Sequence, residues 1–191
     1  MSDLVPLTGE PLALDLVNTR PRAADGPVDL LATPAHLRAW LALQVDRLPE
    51  AAQETAELTA AELAAVHAVR EHTAAAIACA RRNERPPAAA LDTLNQAQRA
   101  APAIQELIWD GTSIAAARRR AGSPGLRLAA WLAEAAADLL ADPAITRIRQ
   151  CEAQDCVMLF LPAHPRRRWC SADRCGNRAR VARYYQRHKT T

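Results

Sequence analysis

Leu37, Trp40, Leu41 and Val45 recur at three- and four-residue intervals between Thr33 and Pro49, the spacing of one face of an α-helix. Thr33 directly precedes Pro34, and a capping side chain followed by proline in the first turn starts a helix. A longer stripe of Leu63, Val66, Val69, Thr73, Ile77 and Ala80 follows Thr59, which has Glu62 three residues on in a capping-box pattern, and Pro86-Pro87 ends it. Pro86 to Ala101, carrying Leu91 and Leu94, predicts a third helix. Ser123-Pro124 opens a fourth, with Leu128, Trp131, Leu132, Ala135, Leu139 and Leu140 inward until Asp142-Pro143. Ile104 to Trp109 and Thr112 to Ala117 flank Asp110-Gly111, which predicts a β-hairpin with a two-residue turn. The opening run Leu12 to Arg20 mixes apolar and polar positions and fits either a short helix or a strand.

Composition agrees with a mainly α protein with a small β component: half of the 191 residues are hydrophobic, and most of these are Ala and Leu. The length suits one ordinary domain plus a small appendage, here 1–145 and 147–191. No stretch approaches the roughly 20 apolar residues of a membrane span, and the start lacks the layout of a secretion signal, so a soluble, cytoplasmic protein is expected. The net charge of +3 conceals a split. From Arg147 onward, ten Arg and one Lys face Glu152, Asp155 and Asp173, a net of +8; the rest has 13 basic and 18 acidic residues, a net of −5. Basic charge gathered in a short tail is the footprint of a polyanionic partner, because Lys and Arg release the counterions condensed on phosphates. Arg118-Arg119-Arg120 reads as a solvated loop edge, and His36, His67 and His72 lack the spacing of a helical metal pair.

The tail holds four of the five cysteines at two matched spacings, Cys151…Cys156 and Cys170…Cys175, each with four residues between, and thirteen residues separate the pairs. An odd count in a reducing compartment speaks against a disulfide framework, although two disulfides or four unrelated thiols remain the alternatives. Four thiolates meet the tetrahedral preference of Zn2+ and close its coordination shell, which makes one structural zinc the expected cofactor. About 45 residues with few large apolar side chains fold by drawing on metal binding. His164 is read as a turn residue and Cys79 as a buried thiol. Val157 to Leu161 predicts a strand, Pro162 to Pro165 a turn and Arg166 to Trp169 a returning strand. From about Ser171 a helix follows, with Arg180, Arg183 and Arg187 on one face and Val181, Tyr184 and His188 on another that packs on the hairpin. Together with Arg166, Arg167, Arg168 and Arg178 these arginines form one basic surface for nucleic acid.

The run Arg166-Arg167-Arg168-Trp169-Cys170-Ser171, followed by Cys175-Gly176-Asn177-Arg178-Ala179-Arg180, resembles the CGNR zinc finger. Leu12 to Thr19 and Leu30 to Leu37 resemble the ABATE domain that precedes this finger in bacterial stress-induced transcription regulators. The resemblance implies a helical N-terminal domain of unknown ligand joined to a treble-clef-like finger that binds DNA. Asn177 falls on the motif, where its side-chain amide is placed either to brace the zinc knuckle from outside the ligand set, the favoured reading, or to reach a base. The chain departs from the pattern at Leu161-Pro162-Ala163-His164-Pro165, where an Asp and a Ser commonly precede the basic run.

The leading expectation is a regulator that binds double-stranded DNA through its finger, with the helical domain sensing a small-molecule effector or forming a homodimer that doubles the contact. RNA binding with Tyr184, Tyr185 or Trp169 stacking on bases is the second reading, and a zinc-scaffolded protein-interaction module is the third. Nothing argues for an enzyme: a four-cysteine zinc site has no open position, and no phosphate loop or nucleophile motif is present.

Overall fold

The computed structural model describes residues 5–23, 25–47 and 58–188; within the last segment the side chains of Arg183, Gln186 and Arg187 are not described. The ambiguous opening run is a helix, α1 (Leu12–Val17), and five of its six residues are buried. A two-residue ladder, β1 (Arg22–Ala23) against β2 (Gly26–Pro27), leads to α2 (Pro34–Ala42), where the Thr33 side chain accepts from the His36 amide at 3.2 Å. This helix ends at Ala42, and a 3-10 turn, Val45–Arg47, continues the chain. The expected stop at Pro49 lies outside the described residues.

α3 (Ala60–Ala80) starts at the expected capping box, with the Thr59 amide donating to Glu62 Oε2 at 2.7 Å. α4 (Ala88–Ala100) and α5 (Pro124–Ala141) pack on it, and α1 lies against both α3 and α5. Leu14, Leu16, Leu37, Val66, Ile77 and Leu132 lose essentially all accessible surface in this core, each burial contributing about 1.5–3 kcal/mol of hydrophobic stabilisation. The start of α5 approaches α3 so closely that a Cβ at Gly125 would lie 2.9 Å from the Glu62 Cα, which only glycine allows. Arg70 of α3 is buried and grips Asp29, in the loop between α1 and α2, with two hydrogen bonds of 2.7 and 2.6 Å.

The expected hairpin is present as β3 (Ala103–Trp109) against β4 (Ile114–Arg120), but its connection is longer than two residues. Trp109 pairs with Ile114, leaving Asp110 to Ser113 as a four-residue loop. The Asp110 carboxylate causes this: it accepts from the Thr112 and Ser113 amides at 2.8 Å each, holding both out of the strand. Arg118-Arg119-Arg120 are therefore strand residues and not a loop edge. Arg118 and Arg120 both pair with Glu134 of α5.

A 3-10 turn, Pro143–Arg147, capped by the Asp142 side chain, carries the chain into the basic segment. There β5 (Arg149–Gln150) pairs with β6 (Leu159–Phe160), and the Cys151 amide extends the ladder to the Met158 carbonyl at 2.9 Å. The hairpin thus encloses the first cysteine pair and does not run between the two pairs. Arg166 to Trp169 is not a strand: Pro162 and Pro165 lack donors, and the segment instead hangs on Arg147, which donates to the Pro162 carbonyl, and Arg149, which donates to that of Pro165. A π turn, Ala172–Gly176, begins at Ser171 and runs into α6 (Asn177–His188).

Candidate zinc centre and nucleic-acid interface

Three turns bring the four cysteines together. The β5–β6 loop presents Cys151 and Cys156, the latter after a turn in which its amide reaches the Ala153 carbonyl and Asp155 takes a positive φ of 60°. Cys170 ends the proline-containing segment, and Cys175 sits in the π turn that starts at the Ser171 cap. All four sulfurs lie within 4.8 Å of one another. Thiolates held about 2.3 Å from a tetrahedral zinc stand about 3.8 Å apart. The observed separations are 3.9 Å for Cys156–Cys170, 3.7 Å for Cys156–Cys175 and 3.6 Å for Cys170–Cys175.

The electrostatics of the bare sulfurs point the same way. Hydrogen bonding from Cys170 holds the Cys156 thiol at about 5, and that thiolate, with burial, pushes Cys170 upward. Burial chiefly raises Cys175, to about 11. A negative charge is accommodated at Cys156 while those of Cys170 and Cys175 are resisted, an arrangement that a cation at the centre would relieve. The donor set and spacing fit one Zn2+, held by Cys151, Cys156, Cys170 and Cys175 in a closed shell that supplies folding energy and no site for a bound water. His164 lies apart at an exposed turn, its Nδ1 accepting from the Arg166 amide at 3.1 Å.

The arginines expected to form one basic surface divide by role. Arg167 is half-buried and spent on structure: it donates to Glu10 Oε1 at 2.5 Å, to the Cys170 carbonyl at 2.6 Å and to the Trp169 carbonyl at 3.1 Å, and its guanidinium lies 4.5 Å above the Phe160 ring. It joins the zinc knuckle to the start of the helical half and is not placed for phosphate. Arg178 donates to the Gln154 carbonyl at 3.1 Å and lies 3.7 Å from the Cys175 sulfur, the bracing position expected of Asn177. Asn177 instead accepts from Arg180 at 3.1 Å. Arg166, Arg168 and Arg180 are exposed; Arg168 pairs with Glu152 at 2.5 Å and lies over Trp169. Arg183 and Arg187 fall on α6, with side chains outside the description.

The apolar face of α6 does not pack on the hairpin. Val181, Tyr184 and Tyr185 are 53 %, 62 % and 63 % exposed, and Tyr184 meets both Tyr185 and His188 edge-on. α6 is anchored at its first turn by the zinc knuckle and projects from it.

Sequence reasoning missed the residues that seat the finger. Asn18 pairs with the backbone of Leu159 in both directions, donating from Nδ2 to its carbonyl and accepting its amide on Oδ1, each at 2.8 Å, like a one-residue third strand. Glu10 Oε2 accepts from the Leu161 amide at 2.9 Å beside its bond to Arg167. Glu10 is held in turn by Asp15, which has no accessible side-chain surface and accepts from the Gly9 and Glu10 amides and from Arg47. Burial drives the Asp15 carboxyl above its ordinary value against those three bonds. The signal was present: Asp15, Asn18 and Thr19 interrupt an otherwise apolar buried run, and buried polar groups require partners.

A helical domain joined to a finger with four converging cysteines is the architecture of a zinc-finger protein. Residues 10–143 match the ABATE family, described as “Putative stress-induced transcription regulator”, and residues 147–188 match the CGNR zinc finger. The chain belongs to the ABATE family and carries a CGNR finger at its C-terminal end. No curated protein gave a match. Among the described residues, no helix is long and apolar enough to cross a membrane.

Proposed function

We propose that this protein is a transcription regulator that binds duplex DNA by laying α6 in the major groove, with no catalytic step of its own. The carrying observation is that α6 is fixed at its base to the zinc knuckle while its described residues from Arg180 to His188 are exposed. A helix of 12 residues is about 18 Å long and about 10–12 Å across, a match to a major groove about 12 Å wide. Arg180 points from this helix, and Arg166 and Arg168 lie on the neighbouring segment, a geometry suited to base-edge contact flanked by phosphate contact.

The test is equilibrium binding of the zinc-loaded full chain to mixed-sequence duplex DNA across a salt series. Affinity falling steeply with salt is expected, and Arg180→Ala, with zinc retained, is expected to lower affinity and to reduce the log–log slope by about one if it meets a phosphate. No binding at low salt overturns the reading. The exposed Tyr184 and Tyr185 favour a second reading, stacking on unpaired bases, and single-stranded RNA outcompeting the duplex would select it.

A further inference from the structure

Arg166 and Arg168 leave one short segment of the finger two residues apart, yet their guanidinium groups are held differently. Arg166 is exposed, and none of the described residues pairs with its side chain. Arg168 is also exposed but is fixed three ways. Its Nε donates to Glu152 Oε2 at 2.5 Å, its guanidinium lies 5.6 Å from the centre of the Trp169 ring, and its carbonyl accepts from the Glu152 amide at 3.0 Å. Glu152 follows the ligand Cys151, and Arg168 stands two residues before the ligand Cys170, so the zinc knuckle fixes both members of the pair. An ion pair this exposed adds little to stability; what it sets is the direction of the guanidinium. The pair carries no net charge and so draws phosphate weakly, but it keeps its directional donors. With Nε engaged by Glu152, Nη1 and Nη2 remain as a planar fork. Two parallel donors match O6 and N7 of guanine, since no other base offers two adjacent acceptors in the major groove.

The pair also stands beside the helix proposed to enter that groove. A cleft of about 490 Å3 separates Glu152, Arg168 and Trp169 from Arg178, Ala179 and Ala182 in the N-terminal half of α6. Recognition helices reach base edges with their N-terminal residues, so a side chain flanking that half is within reach of the neighbouring base pairs, and the small Ala179 and Ala182 leave its path open. We propose that Arg168 is a specificity-determining residue that reads a guanine through Nη1 and Nη2, that Glu152 is its positioning residue, and that Arg166, with its charge uncompensated, meets a phosphate. The inference rests on the duplex-binding reading above and names the base that the site recognises.

The experiment selects duplexes from a random library with the zinc-loaded full chain and then measures binding to the enriched site and to unselected duplex across a salt series. The wild-type motif is expected to contain a guanine whose replacement lowers affinity about ten- to a hundredfold. Arg168→Ala and Arg168→Lys should both erase that preference, because lysine offers a point charge and no fork. Arg166→Ala should leave the motif intact and reduce the log–log slope by about one. Glu152→Gln keeps an oxygen acceptor for Nε but removes the charge. It is expected to raise affinity for unselected duplex, steepen the slope by about one and blunt the guanine preference, changes that a merely structural pair would not produce. Zinc content and the far-UV spectrum of each variant verify that the finger is folded. Duplex binding without an Arg168-dependent guanine overturns this assignment alone, as does a Glu152→Gln variant that matches the wild type or an Arg168→Ala variant that loses slope with its motif unchanged. No duplex binding by the wild-type chain at low salt overturns the duplex reading and this one with it.

Discussion

In the helical half, Leu14, Leu16, Leu37, Val66, Ile77 and Leu132 are wholly buried in one continuous cluster, so the burial is shared among many side chains. In the finger the buried cluster is only Phe160, Met158, Ala153 and three of the four cysteines, with Leu7, Cys156 and Trp169 packed against it. The first region is held by the area it removes from water, the second by an ion and by a few hydrogen bonds that reach into its neighbour. A core tolerates small losses in many places, whereas a structure that hangs on a handful of polar contacts fails at each of them.

Removing the metal tests that contrast most severely. Chelation or Cys170→Ser is expected to unfold the finger and abolish DNA binding, since binding free energies of about 10–16 kcal/mol are typical of structural zinc sites. Far-UV circular dichroism should lose the contribution of α6 and retain that of α1 to α5. Collapse of the whole helical signal would show that the halves do not differ in the way described.

Adjacent arginines sharpen the comparison. Arg167→Ala strands the carboxylate of Glu10, which is 7 % exposed, and is expected to cost about 3 kcal/mol in denaturant unfolding and to loosen the finger from the helical half. Arg168→Ala breaks an exposed pair with Glu152, should cost less than about 1 kcal/mol, and should show its effect in DNA affinity instead. Equal stability losses for the two would remove the distinction drawn between clamp and contact.

Within the helical half, Gly125→Ala forces a Cβ onto Glu62 and is expected to cost about 1–3 kcal/mol, read as a lowered Tm with DNA contacts unaffected. The smallest effect is one of pH. Burial raises the Asp29 carboxyl, but Arg70 and the Leu31 amide outweigh it and hold it at about 2, below the ordinary 3.8. The stabilisation is therefore complete above about pH 4 and is lost as the pH falls through 2. Asp29→Asn should flatten the acid limb of a stability curve between those values.

Helix starts were readable because each rests on one local interaction: Thr33 to His36, Thr59 with Glu62, Ser123 to Leu126. The zinc ligands were readable from spacing alone. Arg167 was misread because its charge announces a polyanion, while its use depends on Glu10, far away in sequence. The β5–β6 ladder was missed because a cysteine knuckle served as its loop, and two residues per strand carry no periodicity. The outward face of α6 was misjudged for a related reason: Val181 and Tyr184 have the spacing of a buried stripe, and only the direction of the helix shows that none of the described residues covers it.

Ile145 and Ile148 belong to the helical core, and three residues after Ile148 the chain reaches Cys151. Hardly any chain is free to bend between the hydrophobic interior and the metal, and Asn18 and Glu10 fasten the junction from the side. On the DNA-binding reading proposed above, a finger carried on such a mount meets its target at a fixed angle to the helical half. In a paired assembly the distance between the two recognition helices would then be a property of the protein, so operators whose half-sites are moved apart by a few base pairs should be rejected outright and not bound with gradually declining strength.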